Sequence, residues 1–166
     1  MSTTGHTYIP PRIIATKTVP AEVAGYLDGT DLPAKTQALR LSTVDAEGWP
    51  HAALLSAGDM VVTSSGRIRL GIFPQSATAA NLARDGRLTL TLAIDGGLWE
   101  LRLRARPLAR STRDVPLAFF EAEVETTRTH VASDATLTSG LTFALRDPDA
   151  VQDRWRRQIA ALRSVA

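Results

Sequence analysis

Apolar and polar residues alternate with a period of two along most of this chain, and that period predicts strands with unlike faces. Residues 37–44 set Ala38, Arg40 and Ser42 against Leu39, Leu41 and Thr43. Residues 51–56 return across Asp45-Ala46-Glu47-Gly48, a hairpin turn whose glycine can take positive φ. Residues 60–63 form a third short strand between the turns Gly58-Asp59 and Ser64-Ser65-Gly66. Residues 67–73 place Arg67, Arg69, Gly71 and Phe73 on one face and Ile68, Leu70 and Ile72 on the other, and Pro74 stops the ladder. A strand over 87–92 lines up Leu88, Leu90 and Leu92, and Asp95-Gly96-Gly97 closes its hairpin.

Two longer strands follow. Over 98–108, Leu101, Leu103 and Ala105 point inward and Arg102, Arg104 and Arg106 outward. Over 120–131, Phe120, Ala122 and Val124 point inward and Glu121, Glu123 and Glu125 outward. Three arginines and three glutamates at one period predict an antiparallel pair with a salt-bridged outer face. A last strand is expected over 136–145, interrupted by Gly140.

The period changes to helical in three places. A helix starts at Thr18 or Val19, with Pro20 near its first position, and ends near Asp28-Gly29. A short helix over 77–84 takes its N-cap hydroxyl from Ser76 or Thr78, with Arg84 and Gly86 at its end. A final helix opens at Asp147-Pro148 and gathers Val151, Trp155, Ile159 and Leu162 on one face. The sum is a mostly β fold with peripheral helices, a six- to seven-stranded antiparallel split β-barrel. Residues 1–17 form an N-terminal arm, and residues 18–166 a single domain that ends in the C-terminal helix.

Composition narrows the function. The 166 residues are 44% apolar and 22% charged, as in ordinary globular proteins. No window is apolar enough to span a bilayer, and no cysteine is present. A cysteine-free chain with a polar start suits the cytoplasm. The net charge is only +2, without a basic block, and aromatic residues make up 5%, so nucleic acid is not the expected partner.

Several chemistries lack their residues. The three histidines, His6, His51 and His130, have no metal-ligand spacing, so no metal site is expected. GxSxG, GxGxxG and the P-loop are absent. No side chain stands out as a catalytic acid or base. What remains is the turn after Phe73. Amides at a helix start beside the Ser76 and Thr78 hydroxyls can hold a phosphate, or they can simply cap the helix. Trp155 can stack on a planar ligand or fill a core, and His51 at the start of its strand is a ligand contact or a half-exposed strand residue.

The order of these elements resembles the pyridoxamine 5'-phosphate oxidase-like superfamily of FMN-binding split barrels. The resemblance is carried by the hairpin over 39–56, by 68–92 with Ser76, Thr78 and Asn81-Leu82 in the short helix, and by 140–148 followed by the tryptophan helix. It implies a homodimer with FMN at the subunit interface, the 5'-phosphate at Ser76 and Thr78, and Gly71, Ile72, Phe73, Pro74 and Gln75 near the flavin ring. Asn81, His51 and Trp155 complete the expected flavin-binding set. It implies an oxidoreductase of unspecified substrate. Related branches bind the deazaflavin F420 or haem, or hold no cofactor, which leaves a dimeric binding or structural module as the alternative. Here Ser76 is followed by Ala77 and Thr78, and residues 52–55 hold no arginine or lysine. The charge for a phosphate is therefore expected from Arg40, Arg67, Arg69 or Arg84.

Overall fold

The alternating segments pair into one antiparallel sheet in the computed structural model, which describes residues 7–108 and 114–165. In chain order the elements are β1 (Arg12–Ile14), α1 (Ala21–Tyr26), β2 (Leu39–Val44), β3 (Pro50–Leu55), β4 (Met60–Val62), β5 (Ile68–Ile72), α2 (Ala77–Arg84), β6 (Arg87–Ile94), β7 (Gly97–Pro107), β8 (Ala118–His130) and α3 (Pro148–Ser164). The sheet has eight strands in the order β3-β2-β6-β7-β8-β5-β4, with β1 also paired to β8. Both β5 and β1 lie along the edge of β8 that faces away from β7. The curled sheet, with helices at its periphery, is a split barrel.

The inward faces are the ones the alternation marks. Leu39, Leu41, Leu70, Leu90, Leu101 and Leu103 are all fully buried. Asp95 and Gly96 both have positive φ, 51° and 81°, which closes the two-residue β6–β7 hairpin with the twist its strands need. β1 lies inside the expected arm. His6 lies outside the described residues.

Two expectations are corrected. Residues 136–145 are not a strand. Both edges of β2 are occupied, by β3 and β6, so this segment pairs only with the stretch before β2, through a single bridge of Gln37 with Thr142. The Gln37 side chain meanwhile donates to Ala93 O at 3.0 Å and accepts from Ala93 N at 2.6 Å, extending the end of β6 in place of a strand. The second correction concerns Glu121. It points away from the barrel core as expected, yet it is only 4% exposed, with Arg67, Arg69 and Arg106 all paired to its carboxylate. The charged face is otherwise as its period predicts: Arg104 stands opposite Glu123 and Arg106 opposite Glu121. A bulge past Arg102 leaves Glu125 as the extra residue of β8. Among the described residues no helix is long and apolar enough to cross a membrane.

Candidate functional site

Three contacts seat α3 on the barrel. Its apolar face buries Trp155, Ile159 and Leu162. The Trp155 ring lies on the Gly58 backbone, where a β-carbon would fall 2.0 Å from the indole Cγ. At the other end Arg69 reaches from β5, donating Nη1 to Leu162 O at 3.0 Å and also to Val165 O, and so satisfies carbonyls that the helix leaves open. Arg69 is aimed by Glu121, whose Oε2 accepts from its Nε at 3.0 Å. Burial pushes the Glu121 carboxyl up, but the hydrogen bond from Arg69 and the charge of Arg106 outweigh it and hold the group below the usual carboxylate range.

Docked this way, α3 forms one wall of a cleft of about 360 Å³. Leu54 and Leu55 of β3, Ile72 and Phe73 at the end of β5, and Val115–Leu117 supply apolar walls. Ser76 and Thr78 enter from the start of α2, and Arg154, Arg157 and Gln158 from α3. Asp59 and Asp114 are the acidic lining residues. A site of this size with mostly apolar walls and a few convergent polar groups is the usual form of a small-molecule pocket.

The polar groups differ in what they are free to do. Ser76 is the N-cap of α2, its Oγ accepting from Ala79 N at 3.1 Å, so its O–H remains to donate. The first amides of α2 have no intrahelical acceptor. The side chains of Arg154 and Arg157 are exposed and make no hydrogen bond or ion pair with the described residues. Asp59 is committed: its Oδ2 accepts from Ser56 N and Oγ, both at 2.7 Å, and its Oδ1 from Gln158. The cleft therefore holds two uncommitted cations and one uncommitted carboxylate, Asp114, in one lining with the hydroxyls and open amides, and the cations with those donors suit an anion.

The structure brings Gly71, Ile72, Phe73, Ser76 and Thr78 together in the cleft. Pro74 and Gln75 are exposed outside its lining. Asn81 is buried, donating to Thr43 Oγ1 at 3.0 Å and accepting from Arg84 at 3.2 Å, so it ties α2 to β2. His51, on β3, pairs with Thr43 of β2 and lies outside the lining. Trp155 is core, its ring meeting Phe143 edge-on at 6.1 Å. Nor do the expected cations reach the cleft. Arg67 and Arg69 bind Glu121, Arg84 binds Asn81 and Val44 O, and Arg40 is exposed on β2. The cations in the lining are Arg154 and Arg157, joined there by the amide of Gln158. Their spacing of three and four along the flank of the apolar stripe was the available signal.

No family model matches the chain. A curated relative, "Uncharacterized protein YclD" of Bacillus subtilis (strain 168), is 34% identical over 143 residues, covering 82% of this chain and 90% of that protein. The chain belongs to the YclD family. Among solved structures, this YclD-family chain is similar to HupZ of Group A Streptococcus, with a TM-score of 0.53 and 14% identity over 72% of this chain and 99% of that one. It is equally similar in shape to a "putative pyridoxamine 5'-phosphate oxidase" of Lactobacillus delbrueckii, with a TM-score of 0.53 and 17% identity over 69% of this chain and 97% of that one. Identities this low speak for the fold alone, and the fold is a split barrel shared with those two structures.

Proposed function

We propose that this YclD-family chain is an FMN-binding flavoprotein whose flavin occupies the cleft between β3, β5, α2 and α3, and that it serves as an oxidoreductase. The observation that carries this reading is the pair of uncommitted arginines, Arg154 and Arg157, in one cleft with the Ser76 and Thr78 hydroxyls. A phosphate monoester carries close to two negative charges, and arginines beside open helix amides match it. The apolar walls suit a planar ring. None of the described lining residues is His, Cys, Met or Tyr, the side chains that ligate haem iron, so their donor set suits flavin better than haem.

Bound flavin supplies hydride or electron transfer. The residues of the chain would do the rest: Arg154 and Arg157 would neutralise the phosphate, Ser76 and Thr78 would fix its position, and Ile72 and Leu117 would keep the cleft apolar. Leu54 and Phe73 stand at the cleft 59% and 61% exposed, a poor state for large apolar side chains at a ligand mouth. A second copy of the chain covers them in this reading, giving a homodimer.

The test is the purified protein itself. Released ligand identified as FMN, or saturable FMN uptake by the colourless chain, is expected, with a dimer in light scattering. A colourless chain that takes up no FMN contradicts the reading and favours a cofactor-free module.

A further inference from the structure

Asp59, in the turn between β3 and β4, is where three walls of the cleft are hydrogen-bonded together. Its Oδ2 accepts from Ser56 N and Oγ just past β3, both at 2.7 Å. Its backbone carbonyl accepts from Gly71 N of β5 at 2.9 Å. Its Oδ1 accepts from Nε2 of Gln158 on α3 at 3.0 Å. Gln158 is only 4% exposed, so water does not compete for that bond. No cation pairs with the Asp59 carboxylate among the described residues, and neutral donors alone hold its charge. Bonds to a charged acceptor are stronger than neutral ones, and they are directional where apolar packing is not.

The other contacts of α3 do not supply that direction. Trp155 on Gly58 sets the height of the helix by packing, and Arg69 holds its last carbonyls. Arg154 lies one turn before Gln158 on the same side, and Arg157 directly precedes it. The rotation that seats Gln158 on Asp59 therefore also aims both arginines. At a helix radius of roughly 5 Å, a roll of about 20° carries the stem of either arginine about 2 Å. We propose that Asp59 is a positioning residue of the cleft: by fixing Gln158 it sets the rotation of α3, and through it where Arg154 and Arg157 stand. This rests on the flavin reading of the cleft. A carboxylate in the lining also opposes a phosphate, so its charge and its hold on Gln158 act on FMN with opposite signs.

The experiment titrates FMN and riboflavin into the native chain, Asp59→Ala, Gln158→Leu and the two combined, read by flavin fluorescence. Each single change removes the bond and should cut the preference for FMN over riboflavin by about tenfold, while riboflavin affinity holds. The combined variant should lose no more than either alone, because both act through one bond. Asp59→Asn should restore most of the preference: its carbonyl takes the Ser56 donors, and its NH2 meets the turned amide of Gln158. If Asp59→Ala does not fold, Gln158→Leu and Asp59→Asn carry the comparison. An FMN preference that rises in Asp59→Ala marks a carboxylate that only repels phosphate, and it overturns the proposal. Equal weakening of both ligands, or a preference untouched by Gln158→Leu, also overturns it and leaves the flavin reading standing. A native chain that binds neither flavin overturns both.

Discussion

The indole of Trp155 rests directly on Gly58, with no space for a β-carbon between them. This contact turns a helix into a cleft wall: it sets the height of α3 above the β3–β4 turn, and Asp59 next door then receives Gln158. Trp155 is buried by the same contact and is lost as a stacking platform.

Gly58→Ala should therefore act on stability and site together. Forcing a methyl into this contact should cost about 1–3 kcal/mol in urea unfolding. It should also weaken FMN, because Arg154 and Arg157 ride on the displaced helix. Unchanged stability would show that α3 is not held where Gly58 puts it.

Glu121 and Arg69 hold the other end of α3. Removing the carboxylate with Glu121→Ala should cost about 3 kcal/mol, the lower end for half of a buried ion pair, since Arg69 keeps its carbonyl acceptors. The pH dependence has a fixed sign. The folded carboxyl lies below its ordinary value, so its contribution is complete above the ordinary glutamate pKa of about 4.3 and is lost as pH falls through the folded value. Urea midpoints of the native chain should fall more steeply in that acid window than those of Glu121→Gln. Parallel curves would remove Glu121 from the account.

Much of the fold was legible because period-two alternation reports burial on a sheet face directly. The turns at Gly48 and Gly96 and the caps Ser76 and Asp147 are local signals, and they stand where the sequence places them. The false strand over 136–145 alternates as well, but alternation cannot show that β2 has no edge to spare. The site was half legible. Ser76 and Thr78 carry a local capping pattern, whereas the cations depend on how α3 docks. Arg67 and Arg69 were expected to serve the phosphate but are bound by Glu121 over the sheet face, while Arg154 and Arg157 drew no expectation from the sequence.

The capping serine and its neighbour separate fold from binding. Ser76→Ala with Thr78→Ala should cost only about 1 kcal/mol of stability. It should weaken FMN by roughly a hundredfold, from the loss of two hydrogen bonds to a charged group. Denaturation and fluorescence titration on the same samples check both. A large stability loss with FMN affinity intact would leave the two residues as helix architecture alone.

The most direct measurement compares FMN with riboflavin, which lacks the phosphate, on the native chain and on Arg154→Gln with Arg157→Gln. The account predicts that the native chain binds FMN at least about a hundredfold more tightly than riboflavin. It predicts that the double variant loses most of that advantage while riboflavin affinity stays the same. Equal affinities for the two ligands in the native chain, or an FMN preference that survives the loss of both arginines, would contradict it.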